Sequence, residues 1–421
     1  MAISRRNLLQ TLGAAGLVPW VTTELEARQL PPAAPPEGKN TPKIAVLMSD
    51  TGLSGRGRGT GAAAGAPPAV APAPGTPGGA GLNVQDPASG PRRIKQIGIN
   101  HVCGGGPGGL PWTEDGIRNA MKPWNDAGIT VGNMMINLPA TIIYGRAGRD
   151  ADIERITASL VAAGRAGLAV VEYNFYAHRG VEGYYEDIDT ARGDSGWTSF
   201  DYDGVMKAGQ RYPVAPSEVG MKFRDLPPLA NVGAHTLAEM WANITYFLKI
   251  AVPVAQRANV RLALHPNDPP APISRGSEQI MSTLAGWKQL VGIVNSPANT
   301  ITYDCGVTRE LGEDPVSVAR WFASRDRIGH VHFRNVKVTK PREKYTEVWI
   351  DEGDNNMFLV MRELVKHKYR LQIYPEHPRR IDYDTDRTAF TTQYPGGGGY
   401  AALAYNVGYT RAMLQAAMTS V

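Results

Sequence analysis

From residue 94 onward the chain alternates between two patterns of apolar and polar positions. Short runs of branched or aliphatic residues read as buried strands: "IKQIGINHV" (94–102), "ITVGNMMI" (129–136), "LAVVEYNFY" (168–176), "VRLALH" (260–265), "NTITYDCG" (299–306), "IGHVHFRN" (328–335) and "YRLQIYPEH" (369–377). Between them, apolar residues recur three and four apart. That spacing predicts helices over 113–128, 149–167, 235–259, 277–295, 314–326 and 355–368, and a last one from about Ala401. The punctuation agrees. Thr113 is placed to cap the first helix, Gly128 and Gly167 end the first two, Pro315 sits in a first turn, and Pro253 is expected to kink the long helix.

Strands alternating with helices predict a parallel sheet covered by helices. The seven strands are one short of a closed (β/α)8 TIM barrel, and the poorly patterned stretch 177–234 is the expected place of the eighth. A doubly wound sheet is the alternative. In a barrel, polar residues at the C-terminal ends of many strands converge on one mouth.

The N-terminal part reads differently. Ser4-Arg5-Arg6 precedes a weakly apolar stretch too short to span a membrane, so 1–29 resembles a twin-arginine export signal. No clean cleavage site follows, which leaves a tethered protein as one outcome, and export implies a periplasmic location and the twin-arginine machinery as a partner. From 30 to 93 the chain is rich in Ala, Gly and Pro, as in "GTGAAAGAPPAVAPAPGTPGGAG", and is expected to be a disordered linker because it holds too little apolar surface to offset its ordering entropy. Within it, "KIAVLMSD" reads either as a short strand or as a remnant. The folded catalytic domain is then 94–421.

Charge narrows the partners. Residues 1–93 hold nine Lys/Arg against five acids, a net of +4, so of the chain's +5 only +1 belongs to the remainder. The folded part therefore lacks the global basic excess of a nucleic-acid binder. The two cysteines, Cys103 and Cys305, allow one bridge at most and exclude a disulfide framework. "CGGGPGG" (103–109) lacks the Lys-Ser/Thr of a phosphate loop and reads as a mobile loop at the mouth, with no nucleotide-cofactor motif elsewhere.

Four successive strands end on an imidazole or a carboxylate: His265, Asp304, His332 (with His330 on the same face) and Glu376 followed by His377. Singly, each has a structural explanation: a turn, a core histidine, or an ion pair of Glu376 with Arg379 or Arg380. Together they form a mixed nitrogen and oxygen set suited to Mn²⁺, Fe²⁺, Co²⁺ or Zn²⁺.

"MWANITYFLKIAVPVAQRANVRLALHPNDPP" (240–270), "GRAGLAVVEYNFY", "HVHFRNV" and "PEHPRRI" resemble the mannonate dehydratase family, over most of 94–415. "HPNDPP" is the specific element; the others are shared in part with xylose-isomerase-like TIM barrels. The resemblance implies a metal-dependent barrel that dehydrates D-mannonate to 2-keto-3-deoxy-D-gluconate, with His, Cys, His and Asp ligands from four strand ends. The two histidines fall on His265 and His332, and the aspartate on Glu376. The neighbouring acid/base histidine falls on His377. The family cysteine aligns with Asp304 rather than Cys305, and since neighbouring strand side chains face opposite ways, Asp304 is the expected ligand.

Two departures stand out. "AHRGVEGYYED" replaces a Trp-Thr-Arg element, and in "YPGGGGYAALAY" Tyr400 follows the place of the family's catalytic tyrosine by three residues. Tyr400 is thus the expected partner of His377, Arg334 a clamp for a substrate carboxylate, and Asn174 and His101 hydrogen-bonding partners of its hydroxyls. A metal-dependent sugar isomerase or epimerase, or a related lyase, would use the same apparatus, and a sugar-binding protein with a decayed site is the non-enzymatic alternative. The expected ligand is a small sugar acid or sugar; a homo-oligomer is compatible with all of this.

Overall fold

A computed structural model describes residues 37–51, 89–187, 191–209, 214–385 and 396–421. Eight parallel strands close a barrel: β1 Lys43–Leu47, β2 His101–Gly105, β3 Thr130–Ile136, β4 Val170–Tyr173, β5 Arg261–Leu264, β6 Asn299–Asp304, β7 Ile328–His332 and β8 Gln372–Tyr374. Each pairs with its sequence neighbours, and β1 closes the ring by pairing with both β2 and β8. The (β/α)8 expectation holds, and the doubly wound alternative does not.

The eighth strand is not where the sequence pattern placed it. It is "KIAVL", inside the expected linker, with Ile44, Ala45 and Val46 fully buried. A helix, Ser89–Gln96, then leads into β2, where a strand over 94–102 was expected. The barrel domain therefore begins at β1 and not at residue 94. The expected export signal and the central part of the linker lie outside the described residues.

Helices cover the barrel because their sequences carry one apolar stripe. In Arg149–Ala166 that stripe is Ile153, Ile156, Leu160 and Ala163, all buried, and the helix stops at Gly167, whose φ of 82° suits glycine. Leu237–Arg257 starts from a Thr236/Glu239 capping box and runs on through Pro253. Thr113, Thr283, Asp314 and Asn356 cap Glu114–Asp126, Leu284–Ile293, Pro315–Ala323 and Met357–Lys366 through their side chains. Tyr400–Ser420 closes the chain.

The segments after β4 and β7 form a second, antiparallel sheet. Its strands run in the order Val336–Lys340, Lys344–Glu347, Trp197–Asp201, Tyr184–Asp187. Tyr184, Phe200, Tyr202, Phe223 and Tyr345 give it a small core of its own. Both excursions leave from C-terminal strand ends, so this sheet stands at the mouth of the barrel. The stretch 177–234 thus builds mouth structure and not a barrel strand.

Candidate metal centre

The "HPNDPP" segment turns sharply after β5, and each polar side chain in it is engaged. His265 Nδ1 donates to the Pro266 carbonyl at 2.7 Å, and the Tyr176 hydroxyl donates to the same oxygen at 2.8 Å. Asn267 Oδ1 accepts the Met281 N–H, and Asp268 Oδ1 accepts the Tyr184 hydroxyl. With Nδ1 protonated, His265 presents an unprotonated Nε2 inward. Burial and the neighbouring His332 lower its pKa, so the ring is neutral.

That Nε2 lies 3.1 Å from Nδ1 of His332. Around the same nitrogen of His332 stand Glu376 Oε1 at 2.9 Å and Asp304 Oδ2 at 3.8 Å. One ligand atom each from His265, Asp304 and His332 lies within 4.8 Å of the others. The four residues come from the ends of β5, β6, β7 and β8, and the structure brings them together as the sequence suggests. Below them, Glu172 on β4 takes hydrogen bonds from Asn133 and Thr302 and approaches His332 Nε2 at 3.7 Å.

The donor set fits a divalent cation on three observations. Glu376 Oε1 is buried and makes no hydrogen bond of normal geometry despite its close neighbours. The unprotonated Nε2 of His265 points at Nδ1 of His332 from 3.1 Å, so two imidazoles aim ring nitrogens at one point. Six buried carboxylates (Glu172, Asp268, Asp304, Glu310, Glu347, Glu376) surround two buried guanidiniums, Arg334 and Arg379. Burial pushes Glu310 above the usual carboxylate range, but even without its charge the excess of negative charge remains. In the metal-free protein His332 meets part of it. Burial alone would lower its pKa, but Glu376, Glu172 and Asp304 outweigh burial and raise it to about 9.

Cys305 turns away. It opens a short helix, Cys305–Glu310, and its buried thiol lies 3.3 and 3.2 Å from the carbonyls of His332 and Arg334. Burial and Asp304 push that thiol up, against thiolate formation. Neither cysteine is in a disulfide, so the single bridge that their count allowed does not form.

Three expected roles fail on geometry. His101 is the first residue of β2, at the opposite end of the barrel from the ligands, and its Nε2 contacts Glu37 at 3.4 Å. Arg334 is 2 % exposed and spent on carboxylates: its Nε is 3.0 Å from Asp304 and 3.2 Å from Glu376, Nη1 is 2.7 Å from Glu310 and Nη2 is 3.2 Å from Asp268. It has no free fork for a substrate; it locks the ligand carboxylates. Tyr400 opens the last helix, and its hydroxyl is committed to the Arg93 carbonyl at 2.8 Å. Asn174 is at the correct end of β4, with its amide oxygen buried and unpartnered.

His377 lies beside the ligands, its Nε2 3.5 Å from Glu376 Oε2. Its other nitrogen is held by Glu347, which the sequence pattern did not single out, at 2.6 Å. Glu347 arrives on the mouth sheet, whose pairing joins residues far apart in the chain, so no local signal marked it. The glycine-rich 103–109 starts in β2 and continues at the mouth, where Trp112 packs on Gly106 so closely that a Cβ would stand 2.0 Å from its ring.

Residues 92–420 match the D-mannonate dehydratase (UxuA) family model. The mannonate dehydratase of Streptococcus suis (strain 05ZYH33) is 27% identical over 310 residues, which cover 70% of this chain and 80% of that protein. That of Enterococcus faecalis (strain ATCC 700802 / V583) is 29% identical over 315 residues, 69% and 85% of the two chains. The crystal structure of mannonate dehydratase from Streptococcus suis serotype 2 superposes with a TM-score of 0.63 at 26% identity, covering 78% of this chain and 90% of that one.

Proposed function

The chain belongs to the D-mannonate dehydratase family of hydro-lyases, and on that premise we propose that it dehydrates D-mannonate to 2-keto-3-deoxy-D-gluconate with a divalent metal ion. The observation that carries the reading is the meeting of His265, Asp304, His332 and Glu376 at one end of the barrel. Two imidazoles and two carboxylates suit Mn²⁺ or Fe²⁺, with Co²⁺ and Zn²⁺ as further fits. Bound there, the ion would supply Lewis acidity to the oxygens of a sugar acid.

The chain's own residues do the rest. Arg334 Nε pairs with Asp304 Oδ2 at 3.0 Å and with Glu376 Oε1 at 3.2 Å, and its charge holds both carboxylates in place. His377 stands beside Glu376 with Nε2 facing the centre, placed to take the proton next to the substrate carboxylate and to return one to the departing hydroxyl. Asn174 offers its unpartnered amide oxygen to a substrate hydroxyl.

One observation favours a second reading. Tyr400, the expected partner of His377, donates its hydroxyl to the Arg93 carbonyl instead. Isomerisation or epimerisation of a sugar through an enediolate uses the same metal and base but expels no hydroxyl, so it asks for no acid beside His377 at a leaving group. Assay of the metal-loaded protein with D-mannonate, following formation of a 2-keto-3-deoxy acid, separates the two. We also propose that the chain is exported by the twin-arginine route, on the strength of Ser4-Arg5-Arg6; fractionation of the producing cell tests this.

A further inference from the structure

We propose that Glu347 is the positioning residue of the acid/base histidine: it accepts the Nδ1–H of His377, fixes the tautomer and aims Nε2 at the substrate. The inference rests on the reading of His377 as the proton carrier and adds to it a residue from outside the barrel.

Geometry carries the proposal. His377 Nδ1 lies 2.6 Å from Glu347 Oε2, the length of a charge-assisted hydrogen bond. An imidazole that donates through Nδ1 has its lone pair at Nε2, the nitrogen that faces Glu376. Glu347 is itself held. Arg379 Nη2 donates to the same oxygen at 3.2 Å, Nη1 donates to Thr198 Oγ1 at 2.7 Å, and Nε donates to the His377 carbonyl at 2.8 Å. His377 has a φ of 50°, a left-handed conformation that a residue other than glycine adopts where its surroundings hold it, as these contacts do.

The charge is right as well. Burial opposes ionisation of Glu347, but His377, Arg334 and Arg379 overcome it and hold the carboxyl down at about 2. A carboxylate, not a carboxylic acid, therefore faces the ring. When Nε2 takes a proton from the substrate, the resulting imidazolium is stabilised by that carboxylate, which takes no proton itself. The proton leaves again from Nε2 with the departing hydroxyl, as water.

The mouth sheet gains a purpose from this. Thr198 and Glu347 are cross-strand partners in it, and together they receive Arg379 and His377 from the segment after β8. The sheet thus delivers the orienting carboxylate that no barrel strand provides.

The test uses the full chain, metal-loaded, with Glu347→Gln, His377→Asn and the double variant. Gln removes the charge and no longer dictates the tautomer. Loss of an orienting carboxylate costs up to roughly ten-thousandfold in kcat in the best-known dyad. Here we expect kcat with D-mannonate to fall at least about a hundredfold, with KM changed less than about threefold and metal content unchanged. In the His377→Asn background Glu347→Gln should add nothing. An equal loss in both backgrounds, or a loss that follows metal content, overturns the proposal. If Glu347→Gln does not fold, Glu347→Asp, which keeps the charge, is read instead: a fall in kcat alone that vanishes in the His377→Asn background supports the proposal, and an equal fall in both backgrounds overturns it. Imidazole ¹⁵N shifts make the result independent of substrate. The wild-type ring should show Nδ1–H, lost in Glu347→Gln. That signature without turnover of D-mannonate contradicts the substrate reading and leaves the dyad standing; its absence from the wild type overturns the dyad whatever the turnover.

Discussion

His265 and His332 meet nitrogen to nitrogen, Nε2 of one 3.1 Å from Nδ1 of the other, across the strand that lies between theirs. His265 donates its remaining N–H to a backbone carbonyl, so its lone pair points into the gap. Replacing His265 by Ala should lower metal affinity by about two orders of magnitude or more. The half-buried ring contributes little to the fold, so the melting temperature of the metal-free variant should stay close to that of the metal-free wild type. Elemental analysis and calorimetry check both halves.

Asp304 and Cys305 are neighbours with opposite destinations. Asp304 Oδ2 faces His332 and Arg334, whereas the Cys305 thiol faces two carbonyls. Cys305→Ser should retain stoichiometric metal at a stability cost below about 1.5 kcal/mol, because the hydroxyl can make the same hydrogen bonds. Asp304→Asn should lose metal. The reverse result would assign the ligand to the cysteine.

The raised pKa of His332, about 9, sets a pH dependence. Without metal, the protonated ring stabilises the folded state fully below its ordinary value near 6.5, and that contribution is lost as pH rises through about 9. Melting of the metal-free protein should therefore weaken over this window. Metal must displace the same proton, so apparent affinity should rise by about tenfold per pH unit between 6.5 and 9, with close to one proton released per ion at pH 7. Titration calorimetry in buffers of different ionisation enthalpy counts that proton.

Arg334 is a buried cation among carboxylates. Arg334→Met strands those charges and should destabilise by about 3–5 kcal/mol. A clamp reaching for the substrate would instead raise KM and leave the fold untouched. Chemical denaturation of the variant distinguishes the two.

Val46 on β1 is fully buried and pairs with Val102 on β2. Val46→Asp places an unpaired charge in the core and should destabilise by several kcal/mol, about 3 or more. A linker position would tolerate it. Limited proteolysis of the variant, compared with the wild type, reports the difference.

Much of this centre is legible in the sequence because each ligand ends an apolar run. His265, Asp304, His332 and Glu376 follow strands whose composition marks them without reference to any partner. What fails is set by pairing over long distances. "KIAVL" looks like a strand, but its place in the barrel depends on β8, near the other end of the chain. Ile94, Ile97 and Ile99 imitate a strand, yet Ile94 is a buried residue of a helix and β2 starts later, at His101. That boundary shift moves His101 from the mouth to the bottom. Glu347 and the consumed state of Arg334 depend on which carboxylates the fold crowds together, and spacing along the chain carries no trace of that.

The most direct measurement is turnover of D-mannonate before chelation, after it, and after a divalent ion is restored. The account predicts a 2-keto-3-deoxy acid as product, lost when the ion is removed and regained when it returns. Protein shown to hold one ion per chain that leaves D-mannonate unchanged would contradict it.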